Sequence, residues 1–105
     1  MYQIIRTFYR PNTNIEFWTE DNPLVSEDFR TYRKETYTDT GKLVSRVHTL
    51  SENGLLRTTT AVWESQDAFN SFINDQRIIN ELEIPGTQYM SENGIELVDR
   101  SSTTI

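Results

Sequence analysis

His48 is the only histidine of the 105 residues, and the sequence has no cysteine. Because its unperturbed pKa lies near neutrality, His48 is the first side chain in which to look for a general base. The strand pattern described below places Arg46 and Arg57 beside it, where their positive charge would keep the imidazole neutral. The alternative is a partly buried strand histidine bonded to a neighbour. His48 is therefore the candidate catalytic residue, and the alternative stays open.

Arg6, Arg46 and Arg57 form the candidate ligand-binding set, because guanidinium groups hold planar anions such as a carboxylate or a phenolate. The alternative is that these arginines pair with acidic residues across a dimer. Trp63 and Trp18 complete the set as an aromatic wall, with core packing as the alternative for both. Trp18 lies in an apparent loop, where a tryptophan is expected only if it covers a pocket or reaches a partner subunit.

The composition excludes several classes of protein. Without cysteine and with one histidine, disulfide scaffolds, iron–sulfur sites and His-rich metal sites are ruled out, so we expect no metal and no cofactor. A formal net charge of −6 argues against a nucleic-acid partner. Apolar runs are too short to span a membrane, and the N-terminus has no apolar signal segment. A cytoplasmic protein is the expectation.

The hydrophobic pattern predicts one α+β domain over residues 1–100, followed by a frayed polar tail at 101–105. Predicted strands and helices follow in the order β-α-β-β-α-β, which is the ferredoxin-like arrangement with two helices on one sheet face. Their predicted ranges are a strand at 2–10, a helix from Asn22 or Ser26 to Asp39, strands at 43–50 and 55–63 around Asn53-Gly54, a helix from Ser65 to Pro85, and extended segments at 87–90 and 95–99.

Alternation along the strands sorts the side chains of the sheet into two sets. One set carries no charge: Leu43, Ser45, Val47, Thr49, Leu56, Thr58, Thr60 and Val62. The other set contains Arg6, Arg46, His48 and Arg57 together with Trp63. Because desolvating an unpaired charge under a helix is costly, the uncharged set is predicted to face the helices. The charged set would then form the bare face, and a second copy of the chain would cover it as a homodimer.

Residues 60–72, TAVWESQDAFNSF, run from a strand ending in Trp-Glu-Ser directly into a helix. This motif resembles the dimeric α+β barrel superfamily, in its antibiotic-biosynthesis-monooxygenase-like branch. The resemblance implies two sheets packed face to face in a dimer, with a pocket between each sheet and its helices or loops. Cofactor-free oxygenases occur in this superfamily. Its haem-degrading members have a Trp and a His where this chain has Phe72 and Leu82, so haem chemistry is not implied.

Two functions remain open. One is a cofactor-free site that binds a hydrophobic or aromatic anion, with monooxygenase-like or isomerase chemistry. The other is a non-enzymatic dimer that binds a ligand or a partner, with the arginines and His48 committed to the interface. A pocket of roughly 300 Å³ or more that survives in the dimer would separate these alternatives.

Overall fold

A computed structural model describes residues 1–105 and shows one antiparallel sheet in the strand order β2-β3-β1-β4. The prediction of a ferredoxin-like α+β fold is confirmed. The strands are β1 (Tyr2–Tyr9), β2 (Leu43–Leu50), β3 (Leu56–Trp63) and β4 (Glu96–Thr104). The helices are α1 (Glu27–Arg33), α2 (Gln66–Ile73), α3 (Gln76–Ile78) and α4 (Ile84–Asn93), with π-helical segments at Lys34–Thr38 and Ile79–Glu83. No helix has the length and apolar character needed to cross a membrane.

The two helical regions begin at serine caps. The Ser26 hydroxyl accepts a hydrogen bond from the backbone N–H of Phe29 at 3.1 Å, and Ser65 accepts one from Ala68 at 3.0 Å. These bonds satisfy amides that have no partner within the helix. Of the two starts considered for the first helix, the structure has the one at Ser26. The side chain of Asn22 instead closes a turn by accepting from the N–H of Leu24.

Two predictions for the C-terminal part are wrong. The second helical region does not end at Pro85, because a proline in the first turn of α4 loses no needed hydrogen bond. The helix continues to Asn93 and ends at Gly94, whose φ of 68° suits a glycine C-cap. The tail at 101–105 is also not frayed. β4 pairs with β1 along its length to Thr104, and Ile105 donates a hydrogen bond to the Met1 carbonyl at 2.9 Å.

The sorting of side chains into two sets is correct from Ser45 onward, but the assignment of the two faces is inverted. On β3 the residues beneath the helices are Arg57, Thr59, Ala61 and Trp63, and all four are buried. We call this side the covered face and the other the bare face. An irregularity in the pairing of β2 between Leu43 and Ser45 moves Leu43 to the covered face, where it packs against the core.

The inversion has a physical cause. The prediction assumed that helices pack tightly on the sheet, so that every charge beneath them would lose its water. The helices instead leave a cavity above the covered face, and Arg6, Arg46 and His48 keep part of their surface in water around it. Only Arg57 is buried, with 9% of its surface exposed. The desolvation cost is therefore largest for one arginine and smaller for the rest of the cationic set.

Candidate ligand site

The cavity has a volume of about 620 Å³ and lies between the covered face and the helices. More than half of its 25 lining residues are hydrophobic. All six residues that the sequence singled out line it: Arg6, Trp18, Arg46, His48, Arg57 and Trp63. A depression of similar volume on the outer surface of α4 is lined by only seven residues and collects no cationic side chain. The cavity above the covered face is therefore the candidate site.

Strand pairing aligns four polar residues in a row across the floor of the cavity. His48 pairs with Thr59, Thr59 with Arg6, and Arg6 with Arg100. Because neighbouring strands lie roughly 4.8 Å apart, the backbones of His48 and Arg6 are separated by about 10 Å. The row thus runs from a histidine at one edge strand to an arginine at the other.

Arg46 and Arg57 lie in the rows on either side. Arg46 pairs with Ala61, two residues along β3 from Thr59, and Arg57 lies two residues along in the opposite direction. The spacing along a strand places each of these rows roughly 7 Å from the row of His48. The small side chains of Thr59 and Ala61 therefore form a floor with cationic residues around it.

Glu20 neutralises part of this positive charge. Its carboxylate forms an ion pair with Arg33 and lies 3.1 Å from Nη2 of Arg46. The side chains of Glu20 and Arg33 are 13% and 11% exposed, so both partners of their ion pair are largely removed from water. The other arginines of the cavity have no carboxylate within 4.0 Å: Arg6, Arg57 and Arg100.

Arg57 is the buried cation of the site. Its Nη2 donates to the Trp18 carbonyl at 3.1 Å, and its Cζ lies 4.9 Å from the ring centre of Phe17. Its Nε is buried without an acceptor. Burial and the nearby guanidinium groups of Arg6 and Arg46 lower the pKa of Arg57 to about 10. A charge held in this way without a counter-ion is costly to fold, and such groups are concentrated at functional sites.

His48 is suited to accept a proton. Its Nδ1 lies 2.8 Å from the Thr59 hydroxyl, so Nε2 is the ring nitrogen that remains for a ligand. Burial is the main cause that lowers the pKa of His48, followed by repulsion from Arg57 and Arg46, while Glu20 opposes the shift. The imidazole is therefore neutral at pH 7. The repulsion expected from the sequence is present, but burial is the larger effect.

The two tryptophans occupy different environments. Trp63 is buried, with ring centres 5.0 Å from Phe72 and 5.8 Å from Phe69, so it is a core residue that also faces the cavity. Trp18 is half-buried and lies 5.4 Å from Tyr89 of α4. A Cβ added to Gly86 would approach the Trp18 ring carbon Cδ1 to 2.8 Å, so this glycine makes room for the indole. Trp18 thus forms a wall of the cavity.

Sequence reasoning missed several lining residues. No sequence pattern singles out Glu20, and Arg100 is the last residue before the tail that the sequence predicts to be frayed. Arg33 and Gly86 gave no signal of their own, because their roles depend on helix packing that the local sequence does not contain. In the segment 11–21, Phe17 is buried while Trp18 to Asp21 line the cavity.

Comparison with solved structures identifies the architecture. A dimeric ferredoxin-like protein from an uncultured marine organism aligns with a TM-score of 0.66 at 12% identity, covering 100% of this chain and 94% of the other. A protein assigned to the antibiotic biosynthesis monooxygenases, from Deinococcus radiodurans, aligns with a TM-score of 0.56 at 7% identity, covering 100% and 92%. Both matches extend over the whole chain and share its ferredoxin-like α+β fold.

A second protein with the same assignment, from Chloroflexus aurantiacus, gives a TM-score of 0.54 at 11% identity and covers 99% of this chain and 91% of its own. No family model matches the chain, and no curated protein matches it. The ferredoxin-like α+β fold expected from the resemblance of residues 60–72 is thus confirmed. At these identities the likeness concerns architecture, so the chemistry must be argued from the cavity itself.

Proposed function

We propose that this protein binds an aromatic organic anion in the cavity above the covered face. The observation that carries the proposal is Arg57, a buried cation with no acidic partner in a cavity with aromatic walls. An aromatic anion would supply the missing negative charge to Arg57 and would stack against Trp18 or Trp63. The volume of about 620 Å³ lies within the range of small-molecule sites.

The homodimer belongs to the same proposal, with a corrected interface. The bare face of β1, β2 and β3 carries no charge, and Val47 on it is 55% exposed. A second copy packed on this face would bury Val47, Ile5 and Val62. The named dimeric neighbour has the same fold, which supports this arrangement. The interface would leave the arginines and His48 free, because they lie on the opposite side of the sheet.

Isothermal titration with 2-naphthoate tests the binding proposal. The wild-type chain is expected to bind 2-naphthoate and to bind its uncharged amide at least about 10-fold more weakly, because a charged partner strengthens hydrogen bonds to arginine. Arg57→Met should remove this preference. Arg77→Met is the matched control, since Arg77 lies outside the cavity and is ion-paired with Asp28 and Glu81. Equal affinity of Arg57→Met and wild type for 2-naphthoate would overturn the proposal.

A cofactor-free oxygenation is the catalytic form of this function, and the neutral His48 favours it. A bound phenol would transfer its proton to Nε2 of His48, and the resulting phenolate would react with dioxygen. In a balanced reaction, 1-naphthol and O₂ give 1,4-naphthoquinone and water, with one oxygen atom retained in the product. The substrate supplies the electrons and no further reductant is needed.

Incubation of 1-naphthol under ¹⁸O₂ measures this activity. Labelled quinone should form with the wild-type chain and fall by about 100-fold or more in His48→Ala, the range for loss of a general base. Unchanged turnover in that variant would remove His48 from the mechanism. Binding of 2-naphthoate with no quinone from 1-naphthol would favour the alternative function, a non-enzymatic ligand-binding dimer.

A further inference from the structure

We infer that residues Trp18–Asp21 form a strap that closes one side of the cavity, and that the Glu20 carboxylate is the latch that holds this strap in place. All four residues of the strap line the cavity. The inference rests on the proposed function and deepens it, because it concerns how a ligand enters the cavity rather than which ligand binds there. It is carried by the way in which the strap is attached to the rest of the chain.

The strap has no backbone attachment to the sheet or to the helices. Its only backbone–backbone hydrogen bond is local, from the N–H of Asn22 to the carbonyl of Thr19 at 3.1 Å. Phe17, immediately before the strap, is buried in the smaller hydrophobic cluster and anchors one end. Asn22, immediately after it, begins a turn that the N–H of Val25 closes at 2.8 Å. A segment of this kind can open between its two ends while the sheet stays folded.

Three contacts hold the strap without an ion pair. Nη2 of Arg57 donates to the Trp18 carbonyl at 3.1 Å, and Nη1 of Arg30 donates to the Glu20 carbonyl at 3.4 Å. The Trp18 indole packs against Gly86 of α4, where a Cβ would leave no room for it. Water can solvate both carbonyls when the strap opens, so each of these hydrogen bonds contributes only modestly to closure.

The Glu20 carboxylate makes the ion-paired attachment of the strap. It is paired with Arg33 of α1 and lies 3.1 Å from Nη2 of Arg46 on β2, so one side chain joins the strap to a helix and to the sheet. The side chains of Glu20 and Arg33 are 13% and 11% exposed. Removing one partner of a largely buried pair leaves the other charge without a counter-ion, which is more costly than breaking an exposed pair. Loss of the Glu20 charge therefore destabilises the closed strap.

Asp21 provides a matched comparison within the strap. It is the next residue after Glu20 and lines the same cavity, but it is exposed and forms no ion pair. Glu20→Gln and Asp21→Asn change the net charge of the chain by the same amount, and only Glu20→Gln removes the ion pairs. The two variants therefore separate the effect of the latch from the effect of negative charge at the cavity.

Fluorine NMR of the chain labelled with 5-fluorotryptophan tests the latch without a ligand. The chain has two tryptophans, of which Trp18 reports the strap and Trp63 reports the hydrophobic core. In Glu20→Gln the open fraction, measured by relaxation dispersion of the Trp18 signal, should rise at least about 10-fold, while the Trp63 signal is unchanged. Asp21→Asn should match the wild type. No increase in Glu20→Gln, or an equal increase in Asp21→Asn or at Trp63, would overturn the inference.

Stopped-flow mixing with 2-naphthoate separates this inference from the proposed function. A ligand that enters only through the open strap associates at a rate set by the open fraction, so Glu20→Gln should raise the association rate constant at least about 10-fold. Asp21→Asn should change it by less than about 3-fold, because an exposed charge is screened by salt.

The two measurements can fail independently. If 2-naphthoate binds but Glu20→Gln changes neither the Trp18 signal nor the association rate, the latch is overturned and the proposed function stands. An open fraction that rises without any change in the association rate would also overturn the inference, because the strap would not lie on the path of the ligand. If the Trp18 signal responds as expected and 2-naphthoate does not bind, the latch is supported and the proposed function is overturned.

Discussion

The two faces of the sheet differ in a way that reverses the usual rule for a protein of this architecture. On β1 to β3 the bare face has no charged residue, while the face under the helices holds Arg6, Arg46, His48 and Arg57. A sheet with one solvated side normally turns its apolar residues toward the helices and its polar residues toward water. The reversal is consistent with the proposed ligand site beneath the helices and with the proposed dimer contact on the bare face.

The two faces also differ in how far their apolar side chains are buried. Beneath the helices Ala61 and Trp63 are 6% and 4% exposed, within the main hydrophobic cluster. On the bare face Val47 is 55% exposed in the single chain. A partner on the bare face would remove this apolar surface from water, whereas a partner on the covered face is excluded by the helices. Each face can thus be tested separately.

The largest expected effect comes from a charge on the bare face. Thr60 pairs with Ile5 on one side and Val47 on the other, at the centre of this face. Thr60→Arg would bury a cation without a partner in the proposed dimer, while in a monomer the same arginine is solvated. Sedimentation velocity should therefore change from about twice 12.3 kDa to 12.3 kDa. Thr87→Arg, on the exposed surface of α4, is the control and should remain dimeric.

A wild-type chain that sediments as a monomer at micromolar concentration would contradict this prediction, as would a Thr60→Arg variant that stays dimeric. In the first case the bare face is simply solvated. In the second, the two copies associate through another surface, and the bare face is not the dimer interface.

Gly86→Ala should produce the next largest effect, on the wall of the cavity. The new Cβ would lie 2.8 Å from Cδ1 of Trp18, so the indole or the helix must move. Overpacking of this kind typically costs about 1–3 kcal/mol of the free energy of unfolding. Chemical denaturation measures the loss, and tryptophan emission should shift as Trp18 gains water. In a Trp18→Leu background the same change should cost much less; an equal cost in both backgrounds would exclude the contact as the cause.

Local sequence patterns predicted the strands and helix caps because these depend on neighbours in the chain. Ser26 and Ser65 cap their helices through bonds to amides three residues away, and the alternation along β3 survives in the structure. The end of α4 was missed because proline is compatible with both a helix stop and a helix start. The extension of β4 to Thr104 was not predicted, because its pairing with β1 is a long-range contact and the polar residues 101–104 carry no local strand pattern.

The residues of the candidate site could be predicted from the sequence, but the face of the sheet that the helices cover could not. Alternation groups Arg46, His48 and Arg57 on one side whichever face is covered. Which side the helices cover depends on whether they pack closely or leave a cavity, and that depends on Trp18, Gly86 and Glu20 in distant segments. The rule that unpaired charges do not lie under helices predicted the wrong face, because it assumed that a residue under a helix is always excluded from water.

Asp75→Asn tests the helical cover itself. The hydroxyls of Tyr32 and Tyr37 donate to Oδ2 of Asp75 at 2.6 and 2.5 Å, joining the first helical region to the start of α3. Burial alone would raise the pKa of Asp75, but these bonds and backbone N–H groups bring it below its usual value. Removing the charge weakens both bonds, so we expect a loss of about 1–2 kcal/mol at pH 7.

The pH dependence gives this prediction its control. A carboxylate whose pKa is lowered in the folded state stabilises the protein at pH values above its unfolded-state pKa of about 4. This contribution is lost as the pH falls through the folded-state pKa. The difference between wild type and Asp75→Asn should therefore narrow below about pH 4 in denaturant titrations. A difference independent of pH from 2 to 7 would mean that the ionised carboxylate is not the stabilising group.

Arg57→Met should produce the smallest effect and the one with the opposite sign. A pKa lowered to about 10 means that the folded state disfavours this cation by on the order of 3 kcal/mol at neutral pH. Met fills similar space without charge. The lost hydrogen bond to Trp18 and the contact with Phe17 offset about 2 kcal/mol of the gain, so stability should rise by about 1 kcal/mol.

Thermal unfolding at pH 6 and pH 8 should show the same increase, about 5 °C, because Arg57 is protonated in both folded and unfolded chains until the pH nears 10. Arg77→Met, which removes a half-buried arginine that is ion-paired with Asp28 and Glu81, should show no increase. A less stable Arg57→Met would make Arg57 a structural support for the Trp18 segment. A variant that is more stable but no longer binds 2-naphthoate would mean that the covered face keeps a destabilising cation in order to bind the ligand. The difference in charge between the covered face and the bare face would then be explained by ligand binding.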